Sequence, residues 1–178
     1  NTYSRITILI KMTPPLFFAT CKVLPPNASN VVLGAVIGDD RDICKGALDS
    51  CRKVADKRTT IASLGHAPSE LVITRRCADV ECMTYLMRCH GDKLRGPVCD
   101  RFDSDLRDAV EDVLCGSLSD TAWWQSNVGV SCGGLGLRAA CNMTLAAFIG
   151  SRVAFRPLVR SMFDHLADAD VANAERFS

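Results

Sequence analysis

Residues 97–115 read PVCDRFDSDLRDAVEDVLC, and this stretch carries the clearest helical pattern in the chain. Its apolar side chains recur every three or four residues, while six acidic residues fall mostly on the other side. The apolar face consists of Val98, Phe102, Leu106, Val110, Val113 and Leu114. Pro97 suits the first turn of a helix, and Gly116 suits its end. The stretch therefore predicts an amphipathic helix and a fold built by helix packing.

Helical periodicity also extends toward the N-terminus. Residues 40–64 carry apolar side chains at helical spacing, and Asp39 or Asp40 is available as the N-cap. We expect a second helical region over residues 68–90, bent near Asp79.

The segments around and after residues 97–115 continue the pattern. Residues 91–97 are expected to form a loop, and Ser119 or Asp120 can cap a short helix. Another helix is expected over about 137–150, with further helical pieces over 157–177.

The N-terminal part reads differently. Residues 1–40 look extended, and VVLGAVIG (31–38) is rich in β-branched residues and predicts a strand or hairpin arm. We therefore predict a mainly α fold, a helical bundle with a small N-terminal β-hairpin. Its segments are expected to be an extended region (1–40), a helical region (41–116) and a second helical region with a glycine turn (117–178).

Composition limits the class of protein. The chain has 178 residues, 48% hydrophobic and 23% charged, which suits one globular domain or a large piece of one. It begins at Asn1, so we expect a fragment. No apolar run is long enough for a membrane span, and residues 6–20 make a poor signal peptide, so cytosol or nucleus is the expected compartment.

The net charge of +1 hides an uneven distribution. Residues 1–96 hold 14 Lys and Arg against 9 Asp and Glu, while residues 97–178 hold 7 against 11. The first long helix contributes a basic set, Lys45, Arg52, Lys53, Lys57 and Arg58. Such a run is either a solvated helix face or a contact for phosphates, and the first half of the chain is where nucleic acid would bind.

Ten cysteines are numerous for this length, and no pair forms a CxxC motif. Several occupy apolar positions of helical patterns, so we expect reduced, buried thiols that pack as small hydrophobes, with no disulfide partner. A zinc site would have to use Cys82, Cys89, His90 and Cys99. Because that spacing matches no standard ligand pair, no metal site is predicted.

Gly38-Asp39-Asp40 resembles the paired carboxylates with which polymerases hold Mg²⁺. In such a site a hydrophobic strand continues past the carboxylates, and an earlier strand supplies another acid. Here a helical pattern follows at once, and residues 1–38 contain no acid. We therefore interpret these aspartates as helix caps.

GGLGLRA (133–139) fits the dinucleotide fingerprint G-x-G-x-x-[G/A] through Gly134, Gly136 and Ala139. That motif also requires a preceding strand and an acid about 20 residues later. The segment before it is short and broken by glycine, and no acid occurs between Asp120 and Asp164. A structural turn leading into a helix is the better interpretation.

Four blocks follow one another along residues 31–151. They are VVLGAVIGDD (31–40), TYLMRC (84–89), FDSDLRDAVEDVL (102–114), and a last block with Trp123, Gln125, Ser126, GGLGLR (133–138) and AAFIGS (146–151). In this order they resemble the C-terminal part of reverse transcriptases encoded by non-LTR retrotransposons, with its "LGAPIG", "YLLR", "FD" and "W-x-Q-A…GGLGLR…AAF" segments. The collinearity of four blocks is far more specific than any one of them.

The resemblance implies a thumb-like and connection-like region that follows the polymerase palm. It implies that Leu33 and Gly34 belong to a primer-grip hairpin and that the partner is an RNA/DNA primer–template duplex, with Lys45, Arg52 and Lys53 on its phosphates. The family's catalytic aspartates and their Mg²⁺ lie upstream, so no catalytic residue and no cofactor is expected in this chain.

The resemblance also implies that the glycine block is structural. Its members are Trp123, Gly133, Gly134 and Gly136, and we expect Trp123 to be buried against residues 146–148. Two departures from the family pattern, Val36 for a proline and residues 127–129 for a leucine–proline pair, indicate a degenerate copy that is inactive alone. The alternative is a helical protein-interaction module without a nucleic-acid role, which the near-neutral charge and the acidic face of residues 100–112 favour.

Overall fold

The computed structural model describes residues 29–162, and the predictions for residues 1–28 and 163–178 lie outside the described part. The predicted fold class is confirmed, since the described chain is mainly helical and begins with a two-stranded antiparallel hairpin. The strands are β1 (Asn30–Val32) and β2 (Ala35–Ile37). The helices are α1 (Asp40–Ala62), α2 (Ala67–Cys77), α3 (Thr84–Leu94), α4 (Pro97–Leu114), α5 (Asp120–Ser126) and α6 (Ala140–Met162), with 3₁₀ turns at Val80–Met83 and Val130–Cys132.

The segment predicted as one bent helix followed by a loop is built differently. The helix ends at Cys77, and the bend expected near Asp79 is a full break followed by a 3₁₀ turn. The loop prediction for residues 91–97 is wrong, because α3 continues past a kink at His90 (φ −137°, ψ 24°) to Leu94. Leu94 is fully buried, so hydrophobic packing holds the last turn in place.

The amphipathic helix α4 confirms the pattern that indicates the fold. Val98, Phe102, Leu106 and Val110 are buried, whereas Leu114 is exposed and does not belong to the core face. The helix ends at Leu114, and its C-cap Cys115 takes the left-handed conformation with φ 53°. The predicted stop at Gly116 is therefore one residue late.

The bundle is held by three helix pairs, α3 with α6, α1 with α4, and α4 with α6. One hydrophobic cluster runs from Ala35 on the hairpin to Ala140 at the start of α6. Gly91 permits the close approach of α3 and α6, because a Cβ there would lie 2.7 Å from Cβ of Phe148. The same Cβ would lie 2.8 Å from the carbonyl oxygen of Thr144.

The C-terminal helix is longer than predicted. Instead of one helix over 137–150 and separate pieces later, α6 runs without a break to Met162 and includes Pro157. Every residue from Arg152 to Arg160 is exposed, so this half of the helix projects from the bundle. No helix within residues 29–162 is long and apolar enough to cross a membrane.

Candidate nucleic-acid interface

The tip of the hairpin is formed by two residues with left-handed backbone. Register pairs Val32 with Ala35, which leaves Leu33 (φ 52°) and Gly34 (φ 88°) as the turn. Two-residue turns with positive φ at both positions match the twist of a hairpin and favour Asn-Gly. A leucine in this conformation is strained, and its side chain is 87% exposed, so no burial within the described chain offsets the strain.

The base of the hairpin is fixed to α1. Ser29 Oγ donates to Oδ2 of Asp42 (2.5 Å) and accepts from the amide of Asp39 (3.2 Å). Val36 packs on Gly46, where a Cβ would lie 2.6 Å from Cγ2 of Val36. Since the base is fixed and the tip is exposed, the hairpin presents Leu33 and Gly34 from a defined position.

The three predicted phosphate contacts lie on α1 and are exposed. Arg52 Nη1 pairs with Oδ1 of Asp49 at 3.1 Å, while Lys45 and Lys53 form no ion pair within residues 29–162. A second charged row on the same helix repeats every seventh residue and consists of Asp42, Asp49 and Asp56. The face is therefore of mixed charge, and Lys45, Lys53 and Lys57 are exposed cations on it without an ion pair in the described chain.

Arg58, the last member of the basic run, does not belong to this face. Its side chain is 3% exposed, its Nε donates to the carbonyl of Ala78 (2.9 Å), and its guanidinium lies 4.5 Å from the ring centroid of Phe102. Burial lowers the pKa of Arg58, although Asp105 and Asp79 oppose the change. The sequence suggested a surface position for Arg58. In the fold it instead connects α1 to α4 through Phe102 and to the C-terminal end of α2 through Ala78.

In the GDD stretch Asp39 has the capping role that was predicted, since it is the N-cap of α1 and accepts from the amide of Arg41 (2.9 Å). Asp40 is not a cap but the first residue of the helix, and it pairs with Nζ of Lys93 (2.9 Å). The described residues contain no group of three or more His, Cys, Asp or Glu side chains placed to hold a metal ion.

The glycine turn is closed by its own backbone. Gly133 (φ 82°) and Gly136 (φ 71°) need left-handed backbone, and a Cβ on Gly134 would lie 2.0 Å from the carbonyl oxygen of Val128. All five amides of residues 133–137 donate to carbonyl oxygens, those of Val130, Gly129, Ser126, Val128 and again Ser126. A phosphate loop must direct its amides at the ligand, and these five amides are already bonded, which argues against a phosphate loop and fits a structural turn.

Trp123, the aromatic residue that precedes this turn, is buried as predicted, at 9% exposure. The contact predicted between Trp123 and residues 146–148 stays a prediction; Phe148 of that segment packs over Gly91 of α3. Gln125, two residues after Trp123, donates through Nε2 to the carbonyl of Gly133 (3.2 Å) and so joins α5 to the turn.

Two acidic side chains that the sequence did not single out fasten the glycine turn to the bundle. Asp79 accepts from Nε of Arg138 (3.0 Å), and Asp103 accepts from the amides of Ala140 and Cys141 at the start of α6. Burial raises the pKa of Asp79, against the amide of Val80 and the guanidinium of Arg138. Each partner is 37 to 59 residues away in sequence, so no local signal marks these contacts.

The cysteine prediction holds for a minority of the thiols. Of the nine cysteines in the described range, all free, Cys51 and Cys99 are buried and five are exposed. Burial raises the pKa of Cys51 to about 11, which makes it a poor nucleophile. The four residues of the alternative zinc set are not gathered into a site, since Cys82 lies on the surface while Cys99 faces Thr144 in the core.

No family model, no curated protein and no solved structure matches this chain significantly.

Proposed function

We propose that the chain is the post-palm, thumb-like part of a non-LTR retrotransposon reverse transcriptase, acting in the cytosol or nucleus to hold a primer–template duplex. The observation that carries the proposal is the hairpin tip, where Leu33 is exposed and strained on a rigidly fixed base. Strain that the surrounding fold maintains at an exposed position is typical of sites that contact a partner.

The contacts between three of the four sequence blocks also support this proposal. Asp103 of the FD block caps the helix that contains AAFIGS, and Phe148 of AAFIGS packs on α3, which contains TYLMRC. Segments that are collinear with one family are thus joined by direct contacts in one folded unit, as parts of a single inherited unit would be.

The charge on α1 suits a contact with the duplex backbone. Lys45 and Lys53 are exposed cations without an ion pair in the described chain, and phosphate contacts of this kind are independent of sequence. Arg52 contributes less, because Asp49 already neutralises it.

Fluorescence anisotropy with an RNA–DNA hybrid tests the proposal. We expect the chain to bind the hybrid, and Lys45→Gln/Lys53→Gln to lower the slope of log K against log salt by about 2, because each phosphate contact contributes about 0.9. The control is Arg76→Gln/Arg88→Gln, which removes two exposed arginines that form no ion pair within residues 29–162. Equal slopes for the two double variants would contradict a specific role for α1.

Catalysis is assigned to the intact enzyme and not to this chain. We expect no primer extension on an RNA template with Mg²⁺ or Mn²⁺, because Asp39 and Asp40 serve as a cap and an ion-pair partner. Extension that disappeared in Asp39→Asn would show that this assignment is mistaken.

A protein-interaction module is the second candidate. It is favoured by the large apolar side chains that the hairpin exposes, Val31, Val32, Leu33 and Ile37. A chain that bound neither hybrid duplex nor single strands at low salt would support this candidate over the first.

A further inference from the structure

The helix α6 differs from the rest of the bundle in charge. Its 23 residues include three arginines and no acidic residue, whereas α4 includes six acidic residues and two arginines. The chain therefore carries a basic helix at one side of a nearly neutral molecule. This positive charge on α6 is separate from the cations of α1.

The three arginines lie on one stripe of the projecting half of α6. Arg152, Arg156 and Arg160 are four residues apart, so they lie one above another on the helix surface, about 6 Å apart along the axis. All three are exposed. The same row of every fourth residue continues backward to Phe148 and Thr144, which pack against α3 and α4 within the bundle. The arginines are therefore exposed because this half of α6 projects beyond the bundle.

The stripe is open to a ligand within the described chain. None of the ion pairs among residues 29–162 involves Arg152, Arg156 or Arg160. The guanidinium of Arg152 stacks 4.7 Å from the ring centroid of Phe148, which holds it near the surface of the helix. One arginine is thus oriented in advance, and the other two are exposed.

We propose that Arg152, Arg156 and Arg160 form a second nucleic-acid contact that follows a phosphate backbone. The guanidinium fork matches the oxygens of a phosphate, and the step of about 6 Å is close to two nucleotide steps of about 3.4 Å along one strand of a duplex. The contact lies on a different helix from Lys45 and Lys53, so either contact can fail while the other holds.

An anionic membrane is the competing ligand for a basic helix, and the arrangement of side chains on α6 argues against it. A helix that lies on a bilayer buries an apolar face opposite its cations in the lipid. In the projecting half of α6 the exposed apolar side chains Val153 and Val159 instead flank the arginine row, since each is seven residues, about 20° around the helix, from Arg160 or Arg152. A polyanion needs access to the arginine row alone.

The test uses the whole chain and a labelled RNA–DNA hybrid, titrated between 50 and 200 mM salt. We expect Arg156→Gln/Arg160→Gln to weaken binding about 5- to 10-fold at the midpoint salt and to lower the salt slope by about 2. Arg156→Lys/Arg160→Lys keeps the charge and should keep most of the slope. The matched control is again Arg76→Gln/Arg88→Gln, with the same change in charge on two other helices.

The outcomes separate the alternatives. Affinity and slope equal to those of the parent would overturn the proposal, and so would a loss confined to phosphatidylserine-containing vesicles with hybrid binding unchanged. If the double variant folds poorly by circular dichroism, Arg160→Gln alone gives the decision, with an expected drop of about 1 in slope. A loss in Lys45→Gln/Lys53→Gln but not here would leave the proposed function standing and refute this contact.

Discussion

The hairpin tip and the glycine turn both contain residues with left-handed backbone, but the two turns differ in how exposed they are. At the tip, Gly34 has no atom within 4 Å of the position of a Cβ, and its neighbour Leu33 points into solvent. In the glycine turn, Gly134 is surrounded by main-chain carbonyls, and every amide of residues 133–137 is bonded inside the protein. Both turns thus contain glycine with left-handed backbone, but one is closed by its own hydrogen bonds and the other is exposed.

The difference shows how a glycine motif should be judged. What decides between a ligand loop and a structural turn is where the amides point, because an amide bonded to a carbonyl has no capacity left for phosphate. The sequence of residues 133–139 fits a nucleotide fingerprint, and its hydrogen bonds argue against one. The hairpin tip fits no such fingerprint, and it is the turn that is exposed.

The largest expected effect lies beside the closed turn. Trp123 is 9% exposed and Trp124 is 56% exposed, although they are neighbours on α5. We expect Trp123→Ala to lower the free energy of unfolding by roughly 3–5 kcal/mol, since it removes a large buried side chain and leaves a cavity. Trp124→Ala is the matched control and should change it by less than about 1 kcal/mol. Urea unfolding followed by circular dichroism measures both, and equal losses would show that α5 does not anchor the turn.

The next prediction compares the cost of a steric clash with the cost of a left-handed backbone conformation. Gly134→Ala introduces a Cβ 2.0 Å from a main-chain oxygen that no side-chain rotation can move, so we expect a loss of about 3 kcal/mol. Gly34→Ala meets open space and carries the left-handed penalty alone, about 1–2 kcal/mol. Urea midpoints in the reverse order would mean that the two turns had been assigned the wrong way round.

Local patterns predicted much of this architecture. The apolar face of α4, the caps Asp39 and Ser119, and the hairpin before α1 all depend on residues a few positions apart. Chemistry of that range is visible in a sequence, because capping and amphipathic burial are decided within one or two helical turns.

What the sequence did not predict depends on distant partners. From the sequence, Arg58 looks like part of a basic surface. In the fold its guanidinium lies against Phe102 of another helix. Asp103 caps a helix that begins 37 residues later. The five exposed cysteines of the described range lie at helix ends and in the 3₁₀ turns, away from the buried faces of the helices. At the candidate site the sequence indicated Leu33 and Gly34 by resemblance, but their exposure and strain became visible in the fold.

A smaller effect distinguishes stability from function at the open turn. Asn tolerates left-handed backbone and is favoured before glycine in this kind of turn, so Leu33→Asn should raise the free energy of unfolding by about 1 kcal/mol. If the tip contacts the duplex, the same variant should bind the RNA–DNA hybrid several-fold more weakly. Val130→Asn, an exposed apolar residue beside the closed turn, should change neither quantity. A Leu33→Asn chain that was more stable and bound equally well would remove the tip from the proposed interface.

The smallest expected effect concerns the contact between the hairpin and α3. His90 lies at the kink of α3, with the backbone of Val36 beside its ring and Nε2 buried without a hydrogen-bond partner in the described chain. Burial lowers the pKa of His90; Asp92 and the Val36 backbone oppose this, and Arg152 reinforces it. The folded chain therefore favours the neutral ring.

A histidine whose pKa is lower in the folded chain contributes stability above its ordinary pKa of about 6.5, and that stability is lost as pH falls through the folded value. We expect the urea concentration at the unfolding midpoint to decrease as the pH is lowered from 7.5 to 5, and this decrease to be smaller in His90→Gln. His66→Gln, an exposed ring bonded to Ser69, should keep the parent's dependence. Hydrogen exchange localises the effect: the protection factors of amides in Ala35–Ile37, which are corrected for the pH dependence of intrinsic exchange, should fall at low pH, while those of residues 135–137 should not change. Lower protection factors in both turns would mean that acid loosens the whole bundle and not the hairpin in particular.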